Sequence, residues 1–162
     1  MYNSELKLET ERLFLVCETY ESMLLSAENG DELAHDFSGA YRYRSALADE
    51  GSFKKEDLIW YRTWTFYDKS ENRAIGGGIF KGEPNENGYV EIGYGICDEM
   101  QRCGYATEGN GCLINWALNT MKAAGVIAET EKDNIASMRV LEKLGFKRTH
   151  ETDEFYYWLK CR

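Results

Sequence analysis

A chain of 162 residues, 43% hydrophobic and 14% aromatic, suits one folded domain over 1–162 with a core of its own. The formal charge of −9 argues against nucleic-acid partners, which need a basic surface to displace counterions. No apolar run approaches the roughly 18 residues of a membrane span, and the opening Met-Tyr-Asn-Ser-Glu-Leu-Lys-Leu is no secretory signal. Cys17, Cys97, Cys103, Cys112 and Cys161 are odd in number and form no Cys-x-x-Cys pair. With only His35 and His150 beside them, neither a disulfide framework nor a zinc site is expected. A reduced, cytoplasmic protein follows.

In chain order, Leu6, Leu8, Leu13, Leu15 and Cys17 predict a first strand over 5–17, with an irregular entry. Thr19 is placed to cap a helix whose Tyr20, Met23, Leu24 and Ala27 share a face and which Gly30 ends. Asp31 is placed to cap a second short helix through Leu33, Ala34 and Phe37. The stretch 38–55 has no clear period. The stretch 58–67 is ambiguous between helix end and strand, with Trp64 and Phe66 assigned to a strand. A strand over 74–80 and another over 89–96 flank the turn cluster 82–88, which holds the only proline, so 74–96 reads as an antiparallel hairpin.

The informative stretch is 89–124. Val90, Ile92, Tyr94 and Ile96 alternate on one strand face, and Tyr89, Glu91, Gly93 and Gly95 on the other. Two glycines at alternate positions point to a ligand or a second backbone lying close. From Ala106 the period becomes helical through Gly109, Leu113, Trp116, Ala117, Met121 and Ala124, and Gly125 is read as the end. Gln101-Arg102-Cys103-Gly104-Tyr105-Ala106 joins strand to helix. A helix start has unpaired N–H groups and a partial positive charge, so such a loop can cradle a pyrophosphate; an ordinary tight turn reads the same way. Neither a Walker P-loop nor a Gly-x-Gly-x-x-Gly fingerprint is present.

Beyond the helix, 126–131 should be a strand parallel to 89–96, because a helix crosses between them. Ile135, Met138, Leu141 and Leu144 predict a short helix capped by Asn134, and 155–159 a closing strand. Lys132, Arg139, Lys143, Lys147 and Arg148 stand against Asp133 and Glu142, five basic residues to two acidic, a local +3. That suits an anionic cofactor, although solvated helix and turn charges give the same run.

Three blocks together resemble the GNAT superfamily of N-acetyltransferases, in its RimJ/RimL-like branch. They are Thr10-Glu11-Arg12-Leu13-Phe14-Leu15, the Gln/Arg-x-x-Gly-x-Gly/Ala loop at 101–106, and Asn134-x-x-Ser137 followed by Leu141-Glu142-Lys143-Leu144-Gly145-Phe146. The resemblance implies an α+β fold: a mixed, mostly antiparallel sheet with helices on both faces and a splayed parallel strand pair. It implies acetyl-coenzyme A as cosubstrate and an amine acceptor, a protein N-terminus or a small molecule. No nucleic acid or membrane is expected as a partner, and a homodimer is the assembly to test. In the resembling family the backbone of Ile96, Cys97 and Asp98 and the loop of Gln101, Arg102, Cys103, Gly104, Tyr105, Ala106 and Thr107 would hold the cofactor. Asn134 and Lys143 would add contacts from the later block. Tyr41 and Tyr43 would lie in the wall of the acceptor site, or be loop aromatics.

Many members of that family have a tyrosine where this chain has Leu141, and it protonates the departing thiolate. Ser137 matches the serine that replaces it in the resembling branch; its hydroxyl could instead bond local backbone. Glu91 is the candidate base for the amine, unless it is a solvated strand charge or Glu83 or Glu129 acts through water. Two other readings stand: a non-catalytic coenzyme A-binding module, and a covalent acyl enzyme through Cys103.

Overall fold

The computed structural model describes residues 6–19, 21–22 and 55–162. The alternation over 5–17 resolves into two strands, β1 (Lys7–Glu9) and β2 (Leu13–Cys17), paired antiparallel about a Thr10–Arg12 turn. The single irregular strand is thus a hairpin. A 3₁₀ segment over Lys55–Tyr61 leads into β3 (Thr63–Asp68). Next come β4 (Arg73–Phe80) and β5 (Tyr89–Ile96), paired antiparallel from Gly76–Ile96 to Phe80–Ile92, as the turn cluster between them requires. Helix α1 (Tyr105–Asn115) crosses to β6 (Gly125–Glu131), and α2 (Ile135–Lys143) precedes β7 (Lys147–Glu151) and β8 (Phe155–Cys161). Among the described residues the eight strands form one sheet, in the order β1-β2-β3-β4-β5-β6-β8-β7.

Two boundaries differ from the sequence reading. The regular helix stops at Asn115, and a π-helical turn over Trp116–Thr120 follows, with the Met121 N–H donating to the Trp116 carbonyl. That wider turn carries Trp116 into a ring cluster with Trp60, Trp64 and Phe80, at centroid distances of 5.7, 4.9 and 6.0 Å. Apolar spacing continues through the turn, so the sequence runs on as if helical. Gly125 consequently opens β6, in register with Tyr89, rather than closing the helix.

Helix α1 lies close on the sheet because Gly109 has no side chain; a Cβ there would sit 2.5 Å from the Phe66 ring. Leu113, Ile114 and Trp116 on this side pack with Leu13, Leu15, Trp64, Phe66 and Phe80 in the core. Each such fully buried side chain contributes about 1.5–3 kcal/mol. Met138 and Leu141 seat α2 on the same face. The helices expected for the other face fall outside the described residues, as do Tyr41 and Tyr43. Only the first cap is seen: the Ser22 N–H donates to Thr19 Oγ1 at 3.1 Å.

The feature that positions the site is where pairing stops. β5 and β6 are parallel and in register at Tyr89–Gly125, Val90–Val126 and Glu91–Ile127 only. Both strands continue, to Ile96 and Glu131, without pairing to each other. A wedge therefore opens in the middle of the sheet, with the backbone of 92–96 bonded to β4 on one side alone.

Candidate active site

The connection from β5 to α1 is a braced loop. After a 3₁₀ turn at Asp98–Met100, the Gln101 side-chain amide donates to the Ile96 carbonyl at 3.1 Å and to Asp98 Oδ1 at 2.8 Å. Gly104 caps α1 with φ +85°, a left-handed conformation that disfavours residues with a Cβ. The first intrahelical bond runs from the Glu108 N–H to the Gly104 carbonyl. Tyr105, Ala106 and Thr107 therefore point N–H groups out of the helix start without intrahelical acceptors.

The brace comes from the other end of the chain. Glu108 in the first turn accepts from Thr10 Oγ1 at 2.6 Å, the Arg12 N–H at 2.8 Å and Arg12 Nε at 2.6 Å. Arg12 Nη1 also donates to the Cys103 carbonyl at 2.9 Å, and its guanidinium lies 4.2 Å from the Tyr105 ring centroid. The Tyr105 hydroxyl donates to Asp68 Oδ2 at 2.7 Å. Burial pushes the Glu108 carboxyl up, but bonds from Thr10 and Arg12 outweigh it and hold the group below its usual range. Bonds from the Ser70 and Tyr105 hydroxyls bring Asp68 down to about 2. Arg12 thus neutralises the one acid in the first turn of α1, leaving that helix end suited to an anion. Sequence reasoning missed Arg12, Glu108 and Asp68 as members of this site. For Arg12 and Glu108 the signal was the Thr10-x-Arg12 spacing, whose partner carboxylate lies nearly a hundred residues away.

At the wedge, the Cys97 N–H bonds to the Ile75 carbonyl at 2.8 Å, fixing the end of β5. Gly95 is exposed, and a Cβ there would meet open space. Across the opening, Asn134 Oδ1 accepts from the Ser137 N–H at 3.0 Å, the expected cap of α2. The Ser137 hydroxyl is 2.9 Å from the Tyr94 hydroxyl, which reaches over from β5. Tyr94 is a further member missed in the sequence, where it read only as one of four residues alternating on a strand face. Leu141 is fully buried. Lys143 is exposed in the last turn of α2, about 9 Å along the helix from Ser137 at 1.5 Å per residue.

Glu91 stands on the opposite sheet face from Ser137, with the wedge between them. It is not a free strand charge: Lys81 Nζ lies 2.5 Å from Glu91 Oε1 and 3.3 Å from Glu129 Oε1. Burial depresses the Lys81 ammonium, but the two carboxylates outweigh it and its pKa is raised. Glu83 is exposed in the 82–88 turn. Of the basic run, Lys132 pairs with Glu151, and Arg148 lies over the Tyr156 and Trp158 rings. Cys103 is exposed with its Sγ 3.4 Å from the Gln101 carbonyl, while His150, the one histidine described, stacks on Tyr157. Among the described residues no acid–base partner for a nucleophilic thiol is seen there. Among the described residues no three His, Cys, Asp or Glu side chains could share a metal, and no helix is long and apolar enough to cross a membrane.

A mixed sheet with a parted parallel pair and a helix starting at a glycine loop is an acetyltransferase fold. A GNAT-family acetyltransferase from Bacillus anthracis has it, with a TM-score of 0.68 at 20% identity over 96% of this chain and 98% of its own. So does RimL, a ribosomal L7/L12 α-N-protein acetyltransferase solved with coenzyme A, with a TM-score of 0.68 at 12% identity over 96% and 98%. The acetyltransferase (GNAT) domain matches residues 23–147. The uncharacterized N-acetyltransferase YjdG of Bacillus subtilis (strain 168) is 36% identical over 132 residues, 81% of this chain and 76% of its own. The chain belongs to the GNAT acetyltransferase family, and acetyl-coenzyme A is its acetyl donor.

Proposed function

We propose that the protein transfers the acetyl group directly to a primary amine, belonging to a protein N-terminus or a small molecule. The observation that carries this reading is the wedge between β5 and β6, with a helix start at one end, Ser137 on one face and Glu91 on the other. The residues present fit the cosubstrate. The free N–H groups of 105–107 and the exposed Arg102 suit its pyrophosphate, with Gln101, Cys103 and Gly104 shaping the loop around it. The backbone of Ile96, Cys97 and Asp98 borders the open stretch beside Gly95, where an extended amide-containing arm has room to pair. Asn134, whose Oδ1 is committed to the cap, keeps its Nδ2 donors, and Lys143 adds positive charge from α2.

Acetyl-coenzyme A supplies an activated thioester carbonyl. The acceptor's ammonium form, with a reference pKa of about 10.4 for an alkyl amine such as lysine and about 7.7–8.0 for a protein N-terminus, must lose a proton before the nitrogen can attack. Glu91 accepts that proton through water, with Lys81 holding its carboxylate in place. As the new C–N bond forms and the C–S bond breaks, Ser137 donates its Oγ proton to the departing sulfur. No cysteine takes part; among the described residues Cys103 Sγ meets the Gln101 carbonyl and no acid–base side chain. The five free thiols suit a reducing compartment, and the cytoplasm is the proposed one.

A panel of amines scored by release of free coenzyme A thiol tests both the acceptor class and the base. With the best acceptor, Glu91→Gln should lower turnover about 10²–10⁴-fold while acetyl-coenzyme A affinity stays level. Near-normal turnover in that variant would assign the base to another residue.

A further inference from the structure

The hydroxyl pair that spans the wedge has a direction. Tyr94 lies on β5 three residues beyond Glu91, where pairing to β6 has ended, and its phenol reaches the first turn of α2. It is the side chain that joins the open stretch of one parallel strand to the helix following the other. Its single proton has two acceptors in reach, Ser137 Oγ at 2.9 Å and the Ser137 carbonyl at 3.3 Å. The hydroxyl is the nearer. A phenol that donates to Ser137 Oγ occupies one lone pair and turns the serine's own proton away from Tyr94. Without that bond, a serine in the first turn of a helix spends its hydroxyl on nearby backbone. Ser137 is held twice, its N–H by Asn134 and its Oγ by Tyr94.

We infer that Tyr94 is a positioning residue of the transfer step, orienting the Ser137 hydroxyl so that its proton faces the departing sulfur. The inference rests on the reading of Ser137 as proton donor. When the C–S bond breaks, the electron pair stays on sulfur and the Ser137 proton moves to it. Serine recovers a proton from the Tyr94 phenol, and the phenol regains one through water from the amine nitrogen, which sheds it on becoming an amide. Burial pushes the Tyr94 phenol up, and the Ser137 bond only partly offsets this, so the phenol keeps its proton at neutral pH. The buried hydrocarbon of Leu141 offers no competing hydroxyl one turn further along the helix. The strand thus supplies the phenol that the helix lacks.

Tyr94→Phe keeps the ring and removes only the hydroxyl, so it separates orientation from packing. We expect kcat to fall on the order of tenfold, a part of the ~10²–10⁴-fold that a placed proton donor contributes, with KM for acetyl-coenzyme A little changed. Across acetyl thioesters of thiols of decreasing acidity, the deficit should grow, because the poorer leaving group depends more on the proton. Tyr94→Phe combined with Ser137→Ala should be no slower than Ser137→Ala alone, since both act on one proton. A Tyr94→Phe deficit that is the same for every thioester, or that adds in full to that of Ser137→Ala, would overturn the inference. So would normal turnover in Tyr94→Phe beside a slow Ser137→Ala, which would leave the serine reading intact. Normal turnover in Ser137→Ala would overturn the serine reading itself, and the inference with it. Melting curves on each variant keep the assays below the unfolding transition, so that a folding defect is not read as a slow step.

Discussion

Glu91 and Lys81 illustrate what a single charge means inside a sheet. The Lys81 stem lies over Gly93, where an added Cβ would come within 3.5 Å of its Cε, and its ammonium is shared by carboxylates on β5 and β6. The three groups are roughly one quarter to two fifths exposed, so solvent screens them and the pair energies are small. Replacing Lys81 with methionine keeps the stem and leaves Glu91 and Glu129 facing each other without their cation. Stability should fall by about 0.5–1 kcal/mol, roughly 1–4 °C in Tm for a chain of this size, and Lys81→Arg should restore most of it. Turnover should fall as well, since Glu91 loses the contact that fixes its carboxylate. Unchanged melting and unchanged turnover in Lys81→Met would mean that the cation holds neither carboxylate. From the sequence alone Glu91 was visible as a carboxylate on a glycine-bearing face. Its partner was not, because the nine residues between them close a hairpin whose register no local pattern specifies.

The loop and the helix it opens form a unit with β1, β2 and the end of β3, and Asp68 is its acid-sensitive member. That carboxylate accepts from the Ser70 and Tyr105 hydroxyls and from the backbone N–H groups of Ser70 and Glu71, and it is nearly fully buried. A folded-state value of about 2, below the ordinary value for aspartate, means that folding is favoured by its ionised form. Its contribution is complete above the unfolded-state value of about 3.9 and is lost as the pH falls through that range toward 2. Asp68→Asn should therefore unfold more readily at pH 7. Urea midpoints followed from pH 6 to pH 2 should also fall less steeply for Asp68→Asn than for the unmodified protein. Parallel pH profiles for the two would sink the assignment. The elements themselves were legible in proportion to how local their causes are. The hairpin of β4 and β5 follows from alternation and a turn cluster, and α2 from four apolar residues at every third position with their own cap. β7 was missed because Lys147–Glu151 is exposed along its length and has no apolar face to read. The end of α1 was missed because the π turn keeps the apolar spacing while changing the hydrogen bonds.

At the scale of the molecule, the sheet is two antiparallel halves joined by three parallel residue pairs and by what packs over the seam. The crossing helix announced a parallel partner for β5, while the glycines at 93 and 95 suggested a close ligand or backbone; beside Gly93 lie the Ile79 and Lys81 side chains, and Gly95 faces open space. The parting of the strands could not be read from either, because a strand that continues without its neighbour has the same side-chain pattern as one that is paired. If acetyl-coenzyme A binds in the wedge as proposed, the seam is where its effect on the order of the fold should be largest. A ligand that binds only the folded state stabilises it by RT ln(1 + [L]/Kd), about 2.7 kcal/mol at a concentration 100 times Kd. At roughly 2–4 °C per kcal/mol, acetyl-coenzyme A at that level should raise Tm by about 5–11 °C. Hydrogen exchange locates the effect. If an extended arm pairs with the open edges, amides within 92–96 and 128–131 that lack a partner across the wedge should slow on adding acetyl-coenzyme A. The first-turn amides of 105–107 should slow with them as the pyrophosphate engages the helix start. Amides in β7 and β8, on the far side of β6, should change only through the global gain in stability. Protection confined to 105–107 would mean that the phosphates dock while the arm stays outside the wedge. Tm rising with no local protection at either place would remove the wedge as the site.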